Sequence, residues 1–170
     1  MLDESLAKLP IFSGMTDAEI GEALSCTNPM LYQAGQKIIT QGHTIRNLWF
    51  IRKGRCEVRR HTDSGCEFKL AELGPDSQFG EMSFFQAAPA SADVVAITEI
   101  QLLRLAREDY DQLLASGNPI AHKLALNSLE QLADRLRRTD QWITDLVCKD
   151  NYRPTPSEWT SFRELIFRGP

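Results

Sequence analysis

The stretch Phe79-Gly80-Glu81-Met82-Ser83-Phe84-Phe85, followed after three intervening residues by Pro89-Ala90-Ser91-Ala92-Asp93-Val94-Val95-Ala96, decides how the chain is read. The Gly80-Glu81 pair predicts a short helical turn whose first backbone N–H groups lack partners within the helix and point outward. A second set of free amides is expected at Ser91-Ala92, just before a strand over Val94–Ile97. Two converging sets of amides make a nest for an anion, and a helix N-terminus adds its positive dipole end. A carboxylate at Glu81 is out of place beside an anion unless it accepts hydrogen bonds from hydroxyls. A sugar phosphate meets both conditions. The candidate donors are the backbone N–H groups of Gly80, Met82, Ser91 and Ala92, with the Ser91 hydroxyl as an added one.

On both sides of this stretch, from Met30 to Ala106, the texture is short β-rich runs punctuated by glycine. Lys37–Thr40, Asn47–Ile51, Cys56–Arg60, Glu67–Leu70, Val94–Ile97 and Gln101–Leu105 read as strands, with Gly35, Gly42, Gly54, Gly65 and Gly74 at the corners. Many short strands at regular spacing predict a small double-sheeted barrel, a jelly roll, so the fold class is mainly β with flanking helices.

Thr16-Asp17-Ala18-Glu19 is a capping box that opens a helix through about Ser25, closed by Asn28-Pro29. After the barrel, Arg107 to Ser116 forms a short helix ended by Gly117. Asn118 caps a long helix with Pro119 at its first position, running to about Val147. Along it Ala125, Leu129, Leu132, Leu136, Thr139, Ile143 and Leu146 recur at alternating four- and three-residue steps, a heptad seam with Glu130, Asp134, Arg135, Arg137 and Arg138 outside it. The seam outruns what a barrel could cover, which predicts a parallel homodimer with Leu129, Leu132, Leu136 and Ile143 at its interface; ordinary core packing is the alternative. Three regions follow: a barrel with its flanking helices over 1–117, the long helix over 118–147, and a tail over 148–170. In the tail, Thr155-Pro156-Ser157-Glu158 precedes Trp159, Phe162 and Ile166 on one helical face. A docked terminal helix, a lid over the pocket and a partner-binding helix are the readings of that face.

The motifs together resemble the cyclic-nucleotide-binding domain family, and residues 79–96 resemble its phosphate-binding cassette. Gly35-Gln36-Lys37-Ile38 with Gly42, then Leu48–Gly54 leading into Cys56-Glu57-Val58, are similar to the family's early strands, and the likeness covers about residues 8–147. It points to a catabolite-activator-like regulatory domain with cyclic AMP or cyclic GMP as ligand. By that likeness Glu81 takes the ribose 2′-hydroxyl, and Asn127 and Ser128 on the long helix read the purine edge. The plainer readings are a carboxylate favouring the helix dipole and two solvated helix positions. Ala90 departs from the pattern, because members that bind cyclic AMP or cyclic GMP carry there an arginine that grips the phosphate through a forked pair of hydrogen bonds. Hydrogen bonds to charged groups contribute about 1.5–3 kcal/mol, so the loss predicts roughly a 10- to 100-fold or greater drop in affinity. Binding is therefore expected to be weak or lost, with Arg46, Arg52 and Arg55 as the candidate replacements. Asp76 stands where relatives usually have glycine, a departure with no functional reading.

The remaining features set limits. A net charge of −4 over 170 residues disfavours a general nucleic-acid binder. No run approaches the 18 or so apolar residues of a membrane span, and the N-terminus lacks the regions of a signal peptide, so a cytoplasmic protein is expected. Cys26, Cys56, Cys66 and Cys148 sit singly, as do His43, His61 and His122, which predicts reduced, buried thiols and no metal centre. No nucleophile–base pair or paired carboxylates stand out, and catalysis is not expected. After residue 147 only 23 residues remain, too few for the winged helix-turn-helix of catabolite-activator-type transcription factors. Three readings stay open: a sensor module signalling through its long helix, a ligand-free dimerisation or docking domain, and a transcriptional regulator.

Overall fold

Thr16 opens the N-terminal helix as the sequence predicts: its Oγ accepts from the Glu19 N–H at 3.3 Å while the Glu19 carboxylate accepts from the Thr16 N–H at 2.8 Å. The computed structural model describes residues 4–149. It divides into two units, one ending at Leu129 and one beginning at Glu130. The first contains α1 (Glu4–Ala7), a 3-10 turn (Pro10–Phe12), α2 (Asp17–Ser25), the strands β1 (Asn28–Tyr32), β2 (Lys37–Ile39), β3 (Asn47–Lys53), β4 (Cys56–His61), β5 (Glu67–Leu73) and β6 (Gln78–Phe79), then α3 (Glu81–Phe85), β7 (Asp93–Ala96), β8 (Ile100–Ala106) and α4 (Arg107–Ala115). The last helix, α5 (Pro119–Lys149), starts in the first unit and supplies the described part of the second. The tail readings from residue 150 onward lie outside the described residues.

The strands form two four-stranded antiparallel sheets, ordered β1-β8-β3-β6 and β2-β7-β4-β5, which is the expected jelly roll. Alternation along β3 divides the core. Leu48 and Phe50 face a cluster with Leu6, Phe12, Phe84, Tyr110, Ile120 and Leu124, whereas Trp49 and Ile51 face the space between the sheets with Phe79, Ala90, Val94 and Leu102. β3 is buried on both faces and reads as a continuous apolar run for that reason.

Three features differ from the sequence reading. Asn28-Pro29 does not merely stop a helix; it begins β1, which lies at a sheet edge, where a proline is tolerated. The two residues of β6 are too few to display a strand period. Among the described side chains the thiols of Cys26, Cys56 and Cys66 are free, and of these three only Cys56 is buried; Cys26 is half-buried and Cys66 is exposed near the β4–β5 turn. Desolvation pushes the Cys56 thiol up to about 12 and makes it a poor nucleophile. No described helix is long and apolar enough to cross a membrane.

Candidate ligand-binding site

Gly80 adopts φ +97°, and a Cβ there would collide with the carbonyl oxygen of Asn47 and press on the Trp49 indole. Only glycine lets α3 begin at this point. The far end of α3 is held by two cations: Arg46 and Arg107 both donate to the Phe84 carbonyl oxygen, each at 3.1 Å. The Arg107 guanidinium also lies 5.7 Å and 5.2 Å from the Phe84 and Tyr110 ring centroids. Two guanidiniums at the negative end of a short helix fix its direction, and so fix where its N-terminal amides point. The Phe84 N–H donates to the Gly80 carbonyl oxygen at 3.0 Å. The preceding amides of Met82 and Ser83 have no acceptor inside the helix. Glu81 is buried at 9% exposure, while the Met82 side chain is exposed.

The second arm is pinned by its backbone. The Ala90 N–H donates to His43 O at 3.0 Å, and the Ala90 carbonyl accepts from Gly42 N–H at 2.9 Å. The Ala90 methyl lies in the cluster between the sheets, so position 90 contributes packing and no charge. Ser91 is exposed and Ala92 buried. Next comes Asp93, 2% exposed, whose carboxylate accepts from Lys37 Nζ at 2.6 Å and the Gln41 N–H at 2.7 Å and sits 3.1 Å from His61 Nε2. Burial alone would push this carboxyl up, but the Lys37 and Gln41 hydrogen bonds and the Lys37 charge outweigh it and hold it below the usual range.

Gly80 and Ala90 thus both approach Trp49, with Glu81 next to the first in sequence and Ser91 and Ala92 next to the second. The other candidates are engaged elsewhere. Arg46 serves the carbonyl end of α3, and Arg55 lies beside Glu72, 3.3 Å away, where its own carbonyl accepts from the Ile97 and Thr98 amides. Arg52 adjoins Pro29, Met30, Leu31 and Gln101. The Asn127 amide donates to Ile11 O at 2.7 Å and Ser13 O at 2.9 Å, tying α5 to the 3-10 turn. Ser128 is buried and donates to Leu124 O at 2.7 Å within its own helix. On the seam, Leu129 and Leu136 are exposed at 63% and 58%, while Leu132 and Ile143 are half-buried.

Sequence reasoning passed over two residues at this site. Asp93 reads as an ordinary polar strand position, although a carboxylate next to a run of buried apolar residues is a usable signal. Trp49 reads only as a strand residue, and its indole N–H is buried with no acceptor among the described residues.

Comparison with known proteins places these features in context. A family model described as cyclic nucleotide-binding domain matches residues 29–116. A CRP-like cAMP-activated global transcriptional regulator of Mycobacterium tuberculosis is 30% identical over 149 residues, covering 88% of this chain and 65% of that protein. The cyclic AMP receptor protein of Thermus thermophilus is 38% identical over 131 residues, covering 77% of this chain and 59% of that protein. The crystal structure of Thermus thermophilus catabolite activator protein superposes with a TM-score of 0.71 at 37% identity, covering 81% of this chain and 62% of that one. The chain therefore spans about three fifths to two thirds of the length of these relatives.

Proposed function

The chain belongs to the cyclic nucleotide-binding domain family, and from that premise we propose that its barrel is a sensor for a cyclic nucleotide, bound weakly and signalled through α5. The observation that carries this reading is the joint geometry of α3 and the Ala90 arm. α3 starts at a left-handed glycine, places a buried carboxylate first, and is held at its other end by Arg46 and Arg107. Such an arrangement suits a sugar phosphate, with the α3 and Ser91-Ala92 amides on the phosphate and Glu81 on a ribose hydroxyl. Weakness follows from Ala90, which offers a methyl where a phosphate needs a cation.

A second reading has one observation in its favour. The exposed Leu129 and Leu136 on the seam suit a ligand-free dimerisation domain. Promoter regulation, in the manner of the relatives' names, belongs to the whole length of those proteins and is a proposal for any longer protein that carries this domain.

Calorimetry with cyclic AMP and cyclic GMP on the parent and on Ala90→Arg separates the readings. The parent should bind weakly, and the variant at least about tenfold more tightly, a gain of about 1.4 kcal/mol from the restored fork. Absence of binding by both proteins favours the ligand-free domain.

A further inference from the structure

Arg104 on β8 lies directly opposite Trp49 on β3, and Trp49 in turn lies opposite Phe79 on β6. Residues paired across a sheet share a face, so the three form one row that ends a single residue before Gly80. Trp49 and Phe79 stack at 6.1 Å in the cluster between the sheets. Ile100 and Leu102, at two-residue steps before Arg104 on the same strand, belong to that cluster too. Arg104 therefore projects between the sheets, toward the end of the barrel where α3 and the Ala90 arm begin. Its positive charge is felt by the Tyr32 phenol, which burial raises and Arg104 draws partly back.

Two donors on this row lack acceptors. Arg104 Nε and Trp49 Nε1 are both buried without a hydrogen-bond partner, and the Arg104 guanidinium has no ion pair among the described residues. Guanidinium and indole nitrogens only donate, so neither can satisfy the other. Leaving such groups buried and unpaired is costly, more so for the charged one. An oxygen-rich anion between the sheets would answer both.

Resting on the cyclic-nucleotide reading for the place of the ligand, we propose that Arg104, assisted by the Trp49 N–H, supplies the positive charge for the ligand's phosphate that Ala90 does not. One half-buried guanidinium balances one negative charge. The site thereby favours a phosphodiester such as a cyclic nucleotide over the doubly charged 5′-monophosphate.

The test uses the full chain as parent, Arg104→Gln, Arg104→Met and Trp49→Phe, titrated with cyclic AMP, 5′-AMP and adenosine and melted with and without inorganic phosphate. Cyclic AMP affinity should fall at least about tenfold in R104Q, and by a smaller factor in W49F, while uncharged adenosine is unaffected. Cyclic AMP should bind the parent more tightly than 5′-AMP. Ligand-free R104M should melt at or above the parent, because it removes a buried donor that has no acceptor; an arginine with a purely structural role would lower the melting temperature on removal. Unchanged cyclic AMP binding by R104Q, or an equal loss for adenosine, overturns the role of Arg104 and leaves the nucleotide reading standing. If the parent binds no cyclic nucleotide but phosphate stabilises it more than R104Q, the anion site stands and the nucleotide reading falls. No Arg104-dependent response to any anion overturns both.

Discussion

At Asp93 a lysine, a backbone amide and a histidine converge on one buried carboxylate two residues after Ser91. Lys37 is half-exposed and still reaches it at 2.6 Å, so the pair is anchored from the protein side and screened from the solvent side. Desolvation raises the carboxyl, and the bonds from Lys37 and Gln41 overcome it, so the folded-state value lies below the unfolded one. A depressed carboxyl contributes stability above its unfolded pKa, about 3.9, and loses it as pH falls through the lower folded value. Asp93→Asn should therefore cost about 1–3 kcal/mol at pH 7, because Lys37 and His61 lose the charged acceptor. The gap to the parent should begin to narrow as pH drops below about 4 and close only below the lower folded-state value, where the parent's own carboxylate is protonated. Denaturant unfolding across that range checks it; a gap that stays constant would mean the mutant's defect is one of shape. The same substitution should loosen the Ser91-Ala92 arm and weaken any ligand held there.

On the scale of elements, α3 is the piece whose placement matters most. Five residues cannot hold a helix by their own hydrogen bonds, so tertiary contacts must supply its position. Gly80 sets its start and the two arginines on Phe84 O set its end. Gly80→Ala should destabilise by more than the roughly 1 kcal/mol that a left-handed alanine costs, since its Cβ also meets the Asn47 carbonyl and Trp49. Gly117→Ala is the matched control: φ is +71° there too, but a Cβ would meet open space. Comparable losses in the two variants would remove the argument for close approach at Gly80. Elements with strong local chemistry were legible in the sequence for reasons of this kind. The Thr16 capping box, the Asn118 cap accepting from Ile120 N–H at 3.0 Å, and the cassette glycine all act within a few residues of themselves. β1 and β6 were not, because their pairing is set by distant partners, as in Met30 with Leu102 (102 − 30 = 72 positions apart) and Phe50 with Gln78 (78 − 50 = 28 apart). At the site, Glu81 and Ala90 could be read from their motif, whereas Arg104 could not. Its importance rests on lying opposite Trp49, a relation that exists only after β3 and β8 have paired.

On the scale of the whole molecule, the question is what covers the seam of α5. The helix has 31 residues, and beyond Leu129 its described residues form a unit of their own. Leu129 is exposed at 63% and Leu136, seven residues on, at 58%, while Arg137 with Asp134 and Gln141 with Asp145 form polar pairs along the helix. Large apolar side chains at heptad spacing beside such pairs are the pattern of a helix that packs against another helix. A second copy of the chain supplies a self-complementary partner, since a two-fold axis sets each seam against its own image. The prediction is a dimer that Leu132→Glu with Leu136→Glu converts to monomer, because four carboxylates would then be desolvated facing one another across the axis. Light scattering of parent and double variant over a range of concentrations measures it. Thermal melting should show a concentration-dependent midpoint for the parent and a constant one for the variant, since association stabilises by mass action. A double variant with unchanged dimer mass would place the interface elsewhere than on the seam.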